Sequence, residues 1–233
     1  MHKQREGGFT LIEIAIVLVI IGLLLGGVLK GQELITSARV RNLISQQDGI
    51  KAAYFGFQDR YRALPGDYPG AQANANIPNM GSDTMGGNGD GLIVSTGSAN
   101  EPTLAWMHLS HAGFLTGNYT MATATETAST TNSPLNPYNA MLQIIHDSIY
   151  GIVSGDPAAT TRPNIKTGNQ IPVEILTEID RKVDDGNAGR GTFRFSAYQG
   201  AGTAPDPTLC FTATTGVWLT TTNQTNCGGA SLF

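Results

Sequence analysis

A carboxylate inside an apolar run is the first group in this chain whose chemistry needs an explanation. Glu13 lies within FTLIEIAIVLVIIGLLLGGVL, residues 9–29, and an unpaired carboxylate in hydrocarbon costs several kcal/mol. Two placements relieve that cost. The side chain can sit at headgroup level, or it can meet a cation. Gly7-Gly8 directly precedes Phe9 behind the polar leader MHKQRE, where an extended chain is open to a protease. A cut after Gly8 would create an α-amino group at Phe9, and Glu13 of one subunit could pair with the ammonium of its neighbour in a bundle of such helices.

Other residues suggest cation or acid–base chemistry. Asn88-Gly89-Asp90-Gly91-Leu92-Ile93 spaces oxygen ligands two apart around a glycine, as in the middle of an EF-hand calcium loop. Gly86 and Gly97 stand where the first acidic ligand and the bidentate glutamate belong, so Asp83 and Glu101 are the carboxylates left to complete a calcium set with Asn88 and Asp90. The competing reading is an Asn-Gly/Asp-Gly turn. His108 and His111 are three apart on an expected helix, a spacing that suits a metal, but no third ligand stands at a fixed distance. Asp180, Asp184 and Asp185 form an acidic cluster that reads as a second cation site or as a solvated helix end. His146 beside Asp147 has no nucleophile placed for it. The chain contains no H-E-x-x-H, C-x-x-C or G-x-S-x-G sequence, so no enzymatic activity and no cofactor other than calcium is expected.

The elements that carry these residues follow from periodicity. Residues 9–29 are about long enough to cross a 30 Å hydrocarbon core, and no small-residue cleavage site of the secretory kind follows them. Lys3 and Arg5 on one flank are balanced by Lys30, Arg39 and Arg41 on the other, so charge does not set the orientation. Val40, Leu43, Ile50, Tyr54, Phe57 and Tyr61, with Gln47 among them, step by three and four along one helical face. A single helix of roughly 80 Å from residue 9 to 63 results, ended by Leu64-Pro65-Gly66. Residues 69–91 read as a long loop, 101–117 as a short helix, and 120–132 as a surface loop. Residues 141–153 suggest a hairpin or else a helical turn, 172–183 an amphipathic helix, 191–198 a half-buried strand, and Val217-Trp218-Leu219 a further strand.

The order Gly8, Phe9, Thr10, Leu11, Ile12, Glu13 followed by an apolar run resembles the N-terminus of type IV prepilins and of the pseudopilins of type II secretion systems. That resemblance implies cleavage by a prepilin peptidase between Gly8 and Phe9, methylation of Phe9, and Glu13 as the filament-assembly carboxylate. It also implies an α+β, pilin-like fold: a leader (1–8), a transmembrane and polymerisation helix (9–29), its amphipathic half (30–64), and a head (65–233) with long loops in which the helix packs on an antiparallel β-sheet. Expected partners are the peptidase, copies of the chain, other pilins or pseudopilins, an inner-membrane assembly platform and the membrane itself. The head would be exported from the bacterial inner membrane into a periplasmic or extracellular filament. The alternative is an exported binding protein or enzyme that uses a pilin-type segment only as an anchor. Many family members carry a proline near the position of Lys30; this chain has Gly26, Gly27 and Gly31 there instead.

Cys210 and Cys227 are the two cysteines of the chain; in a cytosolic protein they would be thiols, and export implies that they pair as a disulfide. A net charge of −4 with 14% charged residues and no extended basic cluster argues against nucleic acid as a partner.

Overall fold

In the computed structural model residues 10–233 are described. They divide into two compact units, one ending at Arg39 and one covering Val40–Phe233. The first helix, α1 (Leu11–Tyr61), contributes to both. Its apolar part contains an 18-residue window of mean hydropathy 2.8, none of it buried. Leu, Ile and Val dominate that part on every face, as lipid or helix partners require, and α1 continues without a break through Gly26, Gly27 and Gly31.

The second unit starts where the helix becomes two-faced. Val40, Leu43, Gln47, Ile50, Tyr54 and Phe57 are all buried, which is the stripe expected from the three-and-four spacing. It begins at Val40, the first position of that spacing. Beyond Tyr61 the chain leaves the helix at Arg62, in the left-handed region with φ 55°, and turns through Leu64-Pro65-Gly66.

Two apolar clusters form on this half of α1. Ile50, Tyr54 and Phe57 pack with Leu104, Trp106 and Leu109 of α3 (Glu101–His111) and with Ile144 and Ile165 of the sheet. Val40 and Leu43 share a second cluster with Ile175, Leu176 and Ile179 of α4 (Val173–Val183), with Phe193 and Phe195, and with Trp218. The sheet has four strands, β1 (Gln143–Asp147), β2 (Arg162–Lys166), β3 (Phe193–Phe195) and β4 (Gly229–Leu232), in the order β1-β2-β4-β3 with every neighbour antiparallel. An α+β head with an antiparallel sheet is thus what the chain forms.

Several details differ from the sequence reading. Residues 69–91 are not wholly loop, because Gly70–Asn76 form a two-turn helix, α2. The expected hairpin at 141–153 supplies only β1; its partner is β2, fifteen residues further on. Trp218 makes a single bridge to Phe211 rather than a strand. In the expected surface loop 120–132, Met121, Ala124 and Asn132 are buried.

Candidate functional site

Three places hold the residues singled out above. The first is the start of α1. Thr10 caps it: the Thr10 N–H and hydroxyl donate to Glu13 Oε2 at 2.7 and 2.8 Å, and the Glu13 N–H donates back to Thr10 Oγ1 at 3.3 Å. This is a reciprocal capping box, which satisfies N–H groups that a helix start leaves without partners. The pattern Thr-x-x-Glu before an apolar run signals it in the sequence, and the reading of Glu13 as interfacial or intermolecular overlooked it. The carboxylate nonetheless stays on the exposed surface of its unit, beside Leu11 and Ile12 at 89% and 68% exposure. Gly8 and Phe9, the expected cleavage and methylation residues, lie outside the described residues.

The second place is the loop 87–94, held by two carboxylates from outside it as well as by its own Asn88 and Asp90. Asp67, which the sequence reading passed over, accepts the N–H groups of Gly89 (2.7 Å), Asp90 (3.1 Å) and Gly91 (2.9 Å). Glu101, fully buried at the start of α3, accepts those of Asn88 (3.1 Å) and Val94 (3.0 Å). Burial pushes both carboxyls above the usual range, and the backbone N–H groups pull back toward it. Asn88 and Asp90 bond each other at 2.9 Å. Asp83 instead accepts the side-chain N–H of Asn74 on α2 at 2.7 Å. The structure therefore divides the four expected calcium ligands: Asn88, Asp90 and Glu101 shape one loop while Asp83 closes another.

His108 is engaged by backbone groups on both ring nitrogens. His108 is fully buried, accepts the Gly66 N–H on Nδ1 at 3.0 Å and bonds the Met85 carbonyl through Nε2 at 3.1 Å. Burial lowers its pKa to about 4, so the ring is a neutral cross-link between the turn, the loop and α3. Gly66 fits there because its φ is +88° and a Cβ would collide with the Glu101 carbonyl. His146 is likewise engaged, its Nδ1 accepting the Ile93 N–H at 3.0 Å.

The third place is the end of α4. Asp180, Asp184 and Asp185 bring ligand atoms within 4.8 Å of one another. Asp180 is buried and accepts from Trp218 Nε1 at 2.7 Å and Gly186 N at 3.2 Å. Burial, with the neighbouring Asp185 and Asp184 charges, raises its pKa to about 6. Asp184 accepts the N–H groups of Thr192 and Phe193. The cluster thus joins α4 to the start of β3 and to Trp218.

Cys210 and Cys227 form a disulfide, their Cα atoms 5.8 Å apart, and both half-cystines are buried in the second apolar cluster. No curated protein and no solved structure matches the chain. Residues 3–29 match the family described as the prokaryotic N-terminal methylation motif, so the chain carries the prepilin-type cleavage and methylation segment of type IV pilins and pseudopilins.

Proposed function

We propose that the chain is the precursor of a filament subunit, a pilin or pseudopilin. In this reading a prepilin peptidase cuts between Gly8 and Phe9, Phe9 is methylated, and residues 9–29 hold the protein in the bacterial inner membrane. An assembly platform there adds it to a type IV pilus-like or type II secretion filament of copies of itself and related subunits. We assign the head no catalytic role. The observation that carries the reading is the conjunction of the methylation motif at residues 3–29 with an apolar helical stretch that is nowhere buried among the described residues. Such a surface is stable only against lipid or other helices.

Co-expression with a prepilin peptidase and N-terminal mass spectrometry test the first step. The expected product has lost residues 1–8 and starts at Phe9 bearing one added methyl group. A chain that retains residues 1–8 in the presence of active peptidase overturns the reading.

A further inference from the structure

We propose that the head binds an oxyanion, a phosphate or carboxylate group, in a cavity of about 240 Å³ lined by Tyr150, Asp156, Thr160, Arg162 and Arg194. Beyond Arg62 the chain holds six Lys and Arg residues, all between 162 and 194, against thirteen Asp and Glu. Two of the six, Arg162 and Arg194, line this cavity, while Lys166 lies against the ring of Tyr150 and Arg190 pairs with Asp156 in its wall.

Strand register explains the gathering. Lys166 and Arg194 both lie opposite Ala230 of β4, so all three side chains leave the same face of the sheet. Arg162 follows on that face by the two-residue period of β2. The small Ala230 leaves room for Tyr150, whose ring lies 5.7 Å from Lys166 Nζ and 5.2 Å from Arg194 Cζ. The Tyr150 hydroxyl donates to the Thr160 carbonyl at 2.6 Å and so closes the segment 150–160.

The neighbouring acids answer only part of this charge. Asp147 stands opposite Arg162 in the ladder, yet its Oδ1 accepts from Lys166 Nζ at 2.9 Å and Asn164 Nδ2 at 3.0 Å. Asp156 forms a bidentate pair with Arg190 at 2.7 and 2.8 Å, and the Asp185 charge also acts on Arg190. Arg194 donates its Nε–H to the Gly191 carbonyl at 2.9 Å and also feels the Asp156 charge, while its terminal nitrogens make no hydrogen bond among the described residues. Arg162 makes no side-chain hydrogen bond or ion pair among the described residues, and it is exposed. Two guanidinium groups with unused donors therefore border one cavity, and a planar fork of donors suits the oxygens of a phosphate or carboxylate.

The test uses the full-length chain in a non-ionic detergent, with inorganic phosphate and succinate as separate titrants followed by calorimetry. Saturable one-site binding of either supports the proposal. Preference for phosphate assigns the site to a phosphoryl group, and preference for succinate to a carboxylate. Arg162→Gln, at an exposed position, should weaken binding on the order of tenfold, and Arg162→Lys by less, because the charge stays and the fork is lost. Arg181→Gln on α4 should bind as the unaltered chain does. Absence of saturable binding at tens of millimolar, or equal binding by Arg162→Gln with its unfolding midpoint unchanged, overturns the proposal.

Discussion

At the scale of single residues, His108 and Asp180 place buried titratable groups under opposite signs of pH control. The folded-state pKa of His108 is lowered from 6.5 to about 4 by burial. Its contribution is thus complete above about pH 6.5 and is lost as pH falls through about 4, a change of roughly 3 kcal/mol. His108→Leu should remove that acid sensitivity. It should also cost about 2–4 kcal/mol at neutral pH, since the Gly66 N–H and Met85 carbonyl are left buried and unpaired. Asp180 behaves in reverse. Its pKa is raised from 3.8 to about 6, so its contribution is complete below about pH 4 and is lost as pH rises through about 6. Asp180→Asn keeps an oxygen for Trp218 Nε1 and carries no charge; relative to the unaltered chain it should gain on the order of 2 kcal/mol at pH 7 and nothing at pH 4. Both tryptophans, Trp106 and Trp218, are buried in the second unit, so their fluorescence during urea unfolding at several pH values reports both changes.

At the scale of elements, the loops are ordered by side chains that take backbone partners. Asn136 donates to the carbonyls of Thr167 and Asn169 and accepts from the N–H groups of Tyr138 and Ala140, and Asp67 and Glu101 accept N–H groups of 88–94. Glu101→Gln replaces one accepting oxygen with an amide that faces an N–H. The expected loss is about 1–3 kcal/mol, equal with calcium and with chelator if the side chain serves the loop alone. A loss seen only with calcium would support the EF-type reading. The disulfide joins Cys210 and Cys227 at a sequence separation of 17 and should contribute about 3 kcal/mol. A free-thiol assay on denatured, unreduced protein should find none, and Cys210→Ser with Cys227→Ser should lower the urea midpoint accordingly.

Which elements were legible in the sequence follows from how each one is stabilised. The stripe on α1 and the Ile175 and Ile179 pair of α4 are periodic, because those helices bury one face against a core. β2 and β4 were not legible. Their sequences, RPNIK and GASL, lack apolar alternation: β4 is central and buried on both faces, and β2 turns its polar side to the cavity beside Tyr150. Helix α2, GAQANAN, resembles a linker and is fixed by tertiary contacts of Ala73. At the candidate sites the residue types were legible but their partners were not. Asp67 is one acid in a Pro-Gly-Asp turn until the fold brings Gly89, Asp90 and Gly91 to it.

At the scale of the whole molecule, Glu13 has two roles to fill, a cap within the chain and a charge offered to a neighbour. The two roles separate by substitution. Glu13→Gln retains an oxygen able to accept from Thr10, as the capping box allows for glutamine, but it carries no charge. Glu13→Ala removes both. If the carboxylate serves only as a cap, Glu13→Gln subunits should assemble as well as the unaltered chain while Glu13→Ala subunits lose helicity at the start of α1. If Glu13 neutralises the Phe9 ammonium of an adjacent subunit, both variants should fail alike, because a bundle of apolar helices cannot hold an unanswered cation. We expect the second outcome. In the unaltered chain the capping contact with Thr10 leaves Glu13 on the exposed side of its unit, still open to a partner. Processed Glu13→Gln subunits, cut at Gly8 with the disulfide formed, should then accumulate in the inner membrane with no filaments in the sheared surface fraction. Abundant filaments from Glu13→Gln subunits alone would reduce the carboxylate to a cap. A processed wild-type chain that never enters filaments would instead favour an exported binding protein on a pilin-type anchor.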